Sequence, residues 1–123
     1  MSVISVNIGG AGVNIGKACL EVSAEEHGLG TDGFFIDEDV ARSSDINHHV
    51  VFREDSIGRW TPRSLFIDVE NDAIDQLLSS NIGELVAPSQ FRQANQSGVY
   101  YFRANYTIGR DFFDEDLFRR EAE

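Results

Sequence analysis

Val3, Ile4, Val6 and Ile8 alternate loosely with small polar residues and are mostly β-branched, a pattern that predicts a strand. Gly9 and Gly10 end it. From Ala11 the apolar spacing becomes helical, which predicts an inner face of Val13, Ala18, Leu20 and Val22. His27-Gly28 offers a basic last turn followed by a C-cap glycine, so the helix is expected to stop there. Residues 29–60 read as a long irregular excursion rich in Gly, Asp and Ser. Within it Phe34, Phe35 and Ile36 are expected to fold back onto the body, and Val50-Val51-Phe52 to form a short strand.

Pro62 is expected to start a second clear strand, Ser64-Leu65-Phe66-Ile67-Asp68-Val69. Its nearly continuous apolar run suits burial on both faces of a parallel sheet. Asn71 or Asp72 is placed to cap a following helix through Ile74, Leu77 and Leu78. Pro88 breaks the chain, Phe91 is expected to begin a third short strand, and a last helix to run roughly from Val99 to Phe118, before the charged tail 119–123. Strand, glycine turn, helix, then strand, acidic turn, helix is the βαβ grammar of a doubly wound α/β domain. Ligands in such sheets bind at the carboxyl ends of the strands, where the turns 9–12 and 68–72 lie.

Composition narrows the function classes. The chain has 123 residues, 41% of them hydrophobic, with nine Phe, three Tyr and one Trp: one small domain with enough apolar matter for a core. Ten basic against 21 acidic residues give a net charge of -11, which argues against nucleic acid and anionic membrane as partners. An anionic ligand would need local help from backbone N–H groups or a metal ion. Cys19 is the only cysteine, so no internal disulfide is possible and a reducing compartment is expected. The start MSVISVNIGG has no basic n-region, and no apolar run approaches membrane-spanning length, so a soluble intracellular protein is expected.

Two turns carry candidate chemistry. In Gly9-Gly10-Ala11-Gly12-Val13-Asn14-Ile15-Gly16 the backbone is bare enough to approach a phosphate at a helix N-terminus. The spacing is G-x-G-x-x-x-G, neither the dinucleotide fingerprint nor a P-loop. Taken alone it reads equally well as tight strand–helix packing. Asp68-Val69-Glu70 offers two carboxylates, enough for a hydrated magnesium ion. Taken alone it reads more readily as acids favoured by a helix dipole. His27, His48 and His49 show no metal-ligand spacing with Cys19, no nucleophile motif is present, and Tyr100, Tyr101, Phe102 and Tyr106 read as core. The acids Asp111, Asp114, Glu115 and Asp116 read as a solvated helix face.

Together these pieces resemble the tubulin family. Residues 4–19, ISVNIGGAGVNIGKAC, resemble the alpha-type start ISIHVGQAGVQIGNAC. Glu25-Glu26-His27-Gly28 resembles LEHG; Pro62-Arg63, Phe66–Glu70 and Ile74-Asp75 resemble PRA-VFVDLEPTVID; Asn105–Arg110 resembles HYTIGK. The resemblance implies an incomplete tubulin/FtsZ-type nucleotide-binding domain over residues 1–123, Rossmann-like, with a parallel sheet and flanking helices. It implies GTP and Mg2+ as cofactors. Gly10, Ala11 and Gly12 would lie against the phosphates with Asn14 near the nucleotide, Glu70 would reach the magnesium with Asp68 close by, and Ser97 and Gly98 would form the next phosphate-facing loop. The implied partners are beta-tubulin or other tubulin subunits, and tubulin-folding chaperones; the implied location is the cytoskeleton in the cytoplasm.

The departures are specific. Gly10 stands where the family has a nucleotide-contacting glutamine, Leu20 replaces an aromatic, Asn71 a proline, Val99 an asparagine and Asn105 a histidine. Lys17 is the sole lysine, so the acetylatable lysine of the family has no counterpart. The chain ends before the family's GGGTGSG loop, its base-recognition residues, its second domain and its catalytic acidic loop, so no catalytic residue is assigned. A domain truncated there is expected to expose a sheet edge and apolar faces, and to be marginally stable alone. The functional expectation is a divergent, truncated, alpha-type structural component of microtubules. The alternative is a vestigial fragment that binds tubulin or its chaperones without holding nucleotide. An independent small hydrolase is the least supported reading.

Overall fold

The computed structural model describes residues 1–41, 47–93 and 110. Its centre is a parallel three-stranded sheet in the order β1 (Ser5–Ile8), β4 (Ser64–Asp68), β5 (Phe91–Gln93). β4 lies between the other two, with Ser5 opposite Ser64, Ile8 opposite Ile67 and Asp68 opposite Gln93. Two helices, α1 (Gly9–Glu26) and α3 (Asp72–Leu78), pack on it and on each other, and a single helical turn, α2, covers Glu38–Ala41. This is the α/β architecture expected, a parallel sheet with flanking helices.

All five residues of β4 are buried, as its apolar run predicts. Phe66 points to the helices and joins Val13 and Leu20 of α1 and Ile74 and Leu77 of α3 in the main core. Leu65 and Ile67 point the other way and form a separate buried pair. The register puts Val6 and Ile8 on that second face too, yet they are 45% and 55% exposed. β1 is thus an edge of the described sheet, with apolar side chains open to solvent.

α1 starts two residues before its apolar spacing suggests. Gly9 adopts φ +75°, a left-handed backbone that turns the extended chain of β1 directly into the helix. Its inner face is Val13, Gly16, Leu20 and Ala24; Ala18 and Val22 are exposed instead. At about 100° per residue, 18 and 22 lie across the helix from the stripe through 13, 20 and 24. The end is as expected. His27 is the C-cap and Gly28 follows at φ +67°, with Gly28 N–H donating to Glu25 O at 3.1 Å and Leu29 N–H to Ala24 O at 2.9 Å. Those two bonds define a Schellman motif, and its usual apolar contact is supplied by Leu29 and Ala24, both in the core.

The excursion after α1 is more ordered than its composition suggests. β2 (Phe52–Glu54) and β3 (Trp60–Pro62) form an antiparallel pair, preceded by a 3-10 turn at His48–Val50. The short strand therefore begins at Phe52, not Val50, and Pro62 closes β3 and does not open β4. Of the apolar triplet only Phe35 packs inward; Phe34 and Ile36 are 42% and 79% exposed. Phe35, His48, Trp60, His27 and Phe52 form a chain of edge-on ring contacts with centroids 4.9–5.8 Å apart. Asn71 takes the N-cap position of α3, but with helical backbone angles (φ -83°, ψ -25°). Two further 3-10 turns, Gly83–Leu85 and Pro88–Gln90, lead into β5. There the buried Gln90 accepts from Ala87 N–H at 2.8 Å and donates to Pro62 O, tying β5 to β3. Of the helix expected over 99–118, only Arg110 is described, and it is helical.

Candidate functional site

The candidate residues that are described gather at the carboxyl ends of β1 and β4. Gly10, Ala11 and Gly12 occupy the first turn of α1, and Asn14 lies one turn above Gly10, exposed. That first turn holds no acidic residue, so its N–H groups face outward without a competing side chain of their own helix. Asp68 ends β4 and is 8% exposed; Glu70, two residues on, is exposed. Glu70 N–H donates to Asp68 Oδ1 at 3.2 Å, which fixes the acidic turn. Asp68 Oδ2 is turned the other way, and a Cβ on Gly10 would lie 3.8 Å from it. The glycine turn and the acidic turn, far apart in the chain, are therefore one place. Ser97 and Gly98 lie outside the described residues.

The alternation of β4 explains the arrangement. Asp68 is two residues from Phe66, so it shares the helix-facing side and emerges where α1 begins. A buried carboxylate there is favoured by the positive end of an 18-residue helix. Not every glycine serves that end. Gly16 is covered by the Asn7 side chain, whose Nδ2 donates to Leu65 O at 3.3 Å and whose Oδ1 accepts from Ser5 Oγ at 3.3 Å. The last glycine of the G-x-G-x-x-x-G run is thus a packing residue, while Gly10 faces Asp68. Asn7 itself went unflagged in the residue pattern; its only signal is a polar side chain on the helix-facing side of a strand. Gln93, opposite Asp68 at the end of β5, borders the same region and carries no motif.

The family is given by a match along the chain. Residues 2–120 fit the family model described as the Tubulin/FtsZ family, GTPase domain. The chain belongs to the tubulin/FtsZ family. Among its relatives, the tubulin alpha-2 chain of Schizosaccharomyces pombe is 34% identical over 98% of this chain, and the tubulin alpha chain of Pneumocystis carinii likewise 34% over 98%. The tubulin alpha-3 chain of Saccharomyces cerevisiae is 34% identical over 92%. This chain spans only 28%, 28% and 26% of those relatives' own lengths. The alpha-type resemblance and the partial tubulin/FtsZ fold are both established by these matches.

The site fits the cofactors of a tubulin/FtsZ GTPase domain. Bare N–H groups at a helix start suit a phosphate. One buried and one open carboxylate on the neighbouring turn suit a hydrated magnesium ion, which takes most of its ligands from water and phosphate. Among the described residues no cluster of three or more His, Cys, Asp or Glu side chains could hold a metal ion. Nor is any described helix long and apolar enough to cross a membrane.

Proposed function

We propose that this chain forms the amino-terminal part of the GTP-binding domain of a divergent, alpha-type tubulin-like subunit, a structural component of the microtubule cytoskeleton in the cytoplasm. The observation that carries the reading is the meeting of Gly10 with the carboxylate of Asp68 at the start of α1. Gly10, Ala11 and Gly12 would donate backbone N–H groups to the phosphates, with Asn14 beside the nucleotide. Asp68 and Glu70 would hold the magnesium ion through its water shell, and Ser97-Gly98 would supply the next loop. A magnesium ion bound there supplies positive charge between carboxylates and phosphates. Without it, Asp68 would repel a phosphate placed at the same helix end, so nucleotide binding is expected to require magnesium. Partners would be beta-tubulin or other tubulin subunits and tubulin-folding chaperones, with neither nucleic acid nor membrane. The domain would span residues 1–123.

A second reading has its own support. Ile8 on the edge strand is 55% exposed on one side of the sheet, and Ile15 and Val22 on the outer side of α1 are 65% and 53% exposed, apolar side chains open to capture by another chain. In that reading the fragment binds tubulin or its chaperones and modulates assembly without nucleotide. A thermal melt of the purified chain separates the two. A midpoint that rises with magnesium and GTP together supports nucleotide binding, because ligand bound to the native state stabilises it. A midpoint indifferent to both overturns it and leaves the partner-capture reading, which co-sedimentation with microtubules then tests.

A further inference from the structure

His27 at the end of α1 and His48 on the 3-10 turn before β2 meet through their Nδ1 atoms at 2.9 Å. That separation is a hydrogen bond, and it needs one N–H and one lone pair. At most one of the two facing nitrogens can carry a proton while the contact lasts. His48 is 7% exposed, and its Nε2 is buried with no hydrogen-bond partner among the described residues, so water cannot easily reach in to replace the bond. The surroundings are aromatic: Phe35 and Trp60 against His48, and Phe52 against His27. The titratable and charged groups around the pair are Glu26 on α1 and His49 on the 3-10 turn, whose ring packs on Trp60. Phe35, Phe52 and Trp60 bring only rings.

We propose that the His27–His48 pair is a proton-operated latch that holds the 3-10 turn His48–Val50 and the β2–β3 pair against the end of α1. With one Nδ1 proton between them the rings close the contact. With a proton on each, two N–H donors and two positive charges face each other at hydrogen-bond distance, and the contact opens. Opening frees the segment in which Trp60 N–H donates to Gly33 O at 2.8 Å and Val50 O accepts from Val3 N–H at 2.8 Å. The latch couples proton concentration to the docking of β2 and β3 on the helix.

The direction of the pH effect follows from His27, whose pKa is lowered from 6.5 by burial first and by His48 second, with Glu26 opposing. The open form therefore binds protons more readily than the closed one. The closed form is fully favoured above about pH 6.5 and loses ground as pH falls toward the depressed value, and not the reverse. Each proton that only the open form takes up raises its share about tenfold per pH unit in that window.

Trp60, the only tryptophan, reports on the latch directly. The test is a titration of the full chain from pH 8 to 5, following Trp60 emission and the hydrogen exchange of the Trp60 amide, corrected for intrinsic exchange. A red shift together with about a tenfold gain in exchange per pH unit below 6.5 is expected. His48→Phe puts a ring without a proton into the aromatic cage; it removes the His48 contribution and leaves the burial of His27, so both changes are expected to shrink markedly. His49→Gln is expected to leave the exchange change in place, removing only direct quenching of Trp60 by His49. If His48→Phe does not fold, His27→Gln carries the same expectation from the half-buried side. The same exchange transition in a folded variant lacking either histidine of the pair, or no transition in the wild type, would overturn the proposal.

Discussion

Replacing Gly16 by alanine separates packing from phosphate binding within the glycine run. On intrinsic propensity alone the change would stabilise α1 by about 1 kcal/mol, since glycine is a poor helix former. Space decides otherwise. A Cβ at position 16 would lie 2.9 Å from Asn7 Nδ2 and closer still to its Oδ1 and Cγ. The Asn7 amide would have to swing away, giving up its bond to Leu65 O, worth about 0.5–1.5 kcal/mol, and forcing strain of about 1–3 kcal/mol on a packed interface. The two costs outweigh the helical gain, and Gly16→Ala is expected to lower stability by about 1–3 kcal/mol. Asn7→Ala removes the obstacle, so the double variant should recover much of that loss. The measurement is urea unfolding followed by Trp60 fluorescence for the wild type, both single variants and the double. A double-mutant coupling of about 1 kcal/mol or more is expected for side chains in contact. A Gly16→Ala chain as stable as wild type, or a coupling near zero, would refute the placement of Asn7 over Gly16.

Other perturbations probe other layers. Gly28→Ala forces a side chain into the left-handed C′ position and should cost about 1–2 kcal/mol, read as a lower urea midpoint with an unchanged slope. Phe66→Ala empties the fully buried centre of β4 and should cost about 3–5 kcal/mol, read as a large drop in the urea midpoint or the loss of a cooperative melt. Asp68→Asn keeps an oxygen for Glu70 N–H but removes the charge that faces Gly10. The magnesium-dependent part of any GTP stabilisation should then vanish while the nucleotide-free melt persists; an unchanged increment would remove Asp68 from the metal site.

The elements that could be read from the residues are those with strong local causes. The β-branched run of β1, the buried run of β4, Gly28 as a helix stop and Phe91 as a strand start are all where the pattern places them. The misreadings share one cause, which is that the competing signal was tertiary. Val22 is apolar yet exposed, and Trp60–Pro62 is a strand because it pairs with Phe52–Glu54, not because its residues alternate. The site behaved in the same way. Neither the glycine turn nor the acidic turn declared itself alone; the resemblance joined them, and the register of β1 on β4 puts both at one end of the sheet. The meeting of His27 and His48 had no trace in spacing, since it depends on how an irregular excursion returns to the helix.

The pairing of Ser5 with Ser64 also sets a schedule for the chain's birth. β1 and α1 leave the ribosome ahead of β4, and the strand that pairs with β1 and supplies Phe66 follows about 40 residues behind α1. At roughly 5–20 residues per second, that leaves the helix waiting some 2–8 seconds with its inner stripe uncovered. Through that interval the nascent segment is held by no long-range partner, and whatever shelters Val13 and Leu20 must act while translation is still under way.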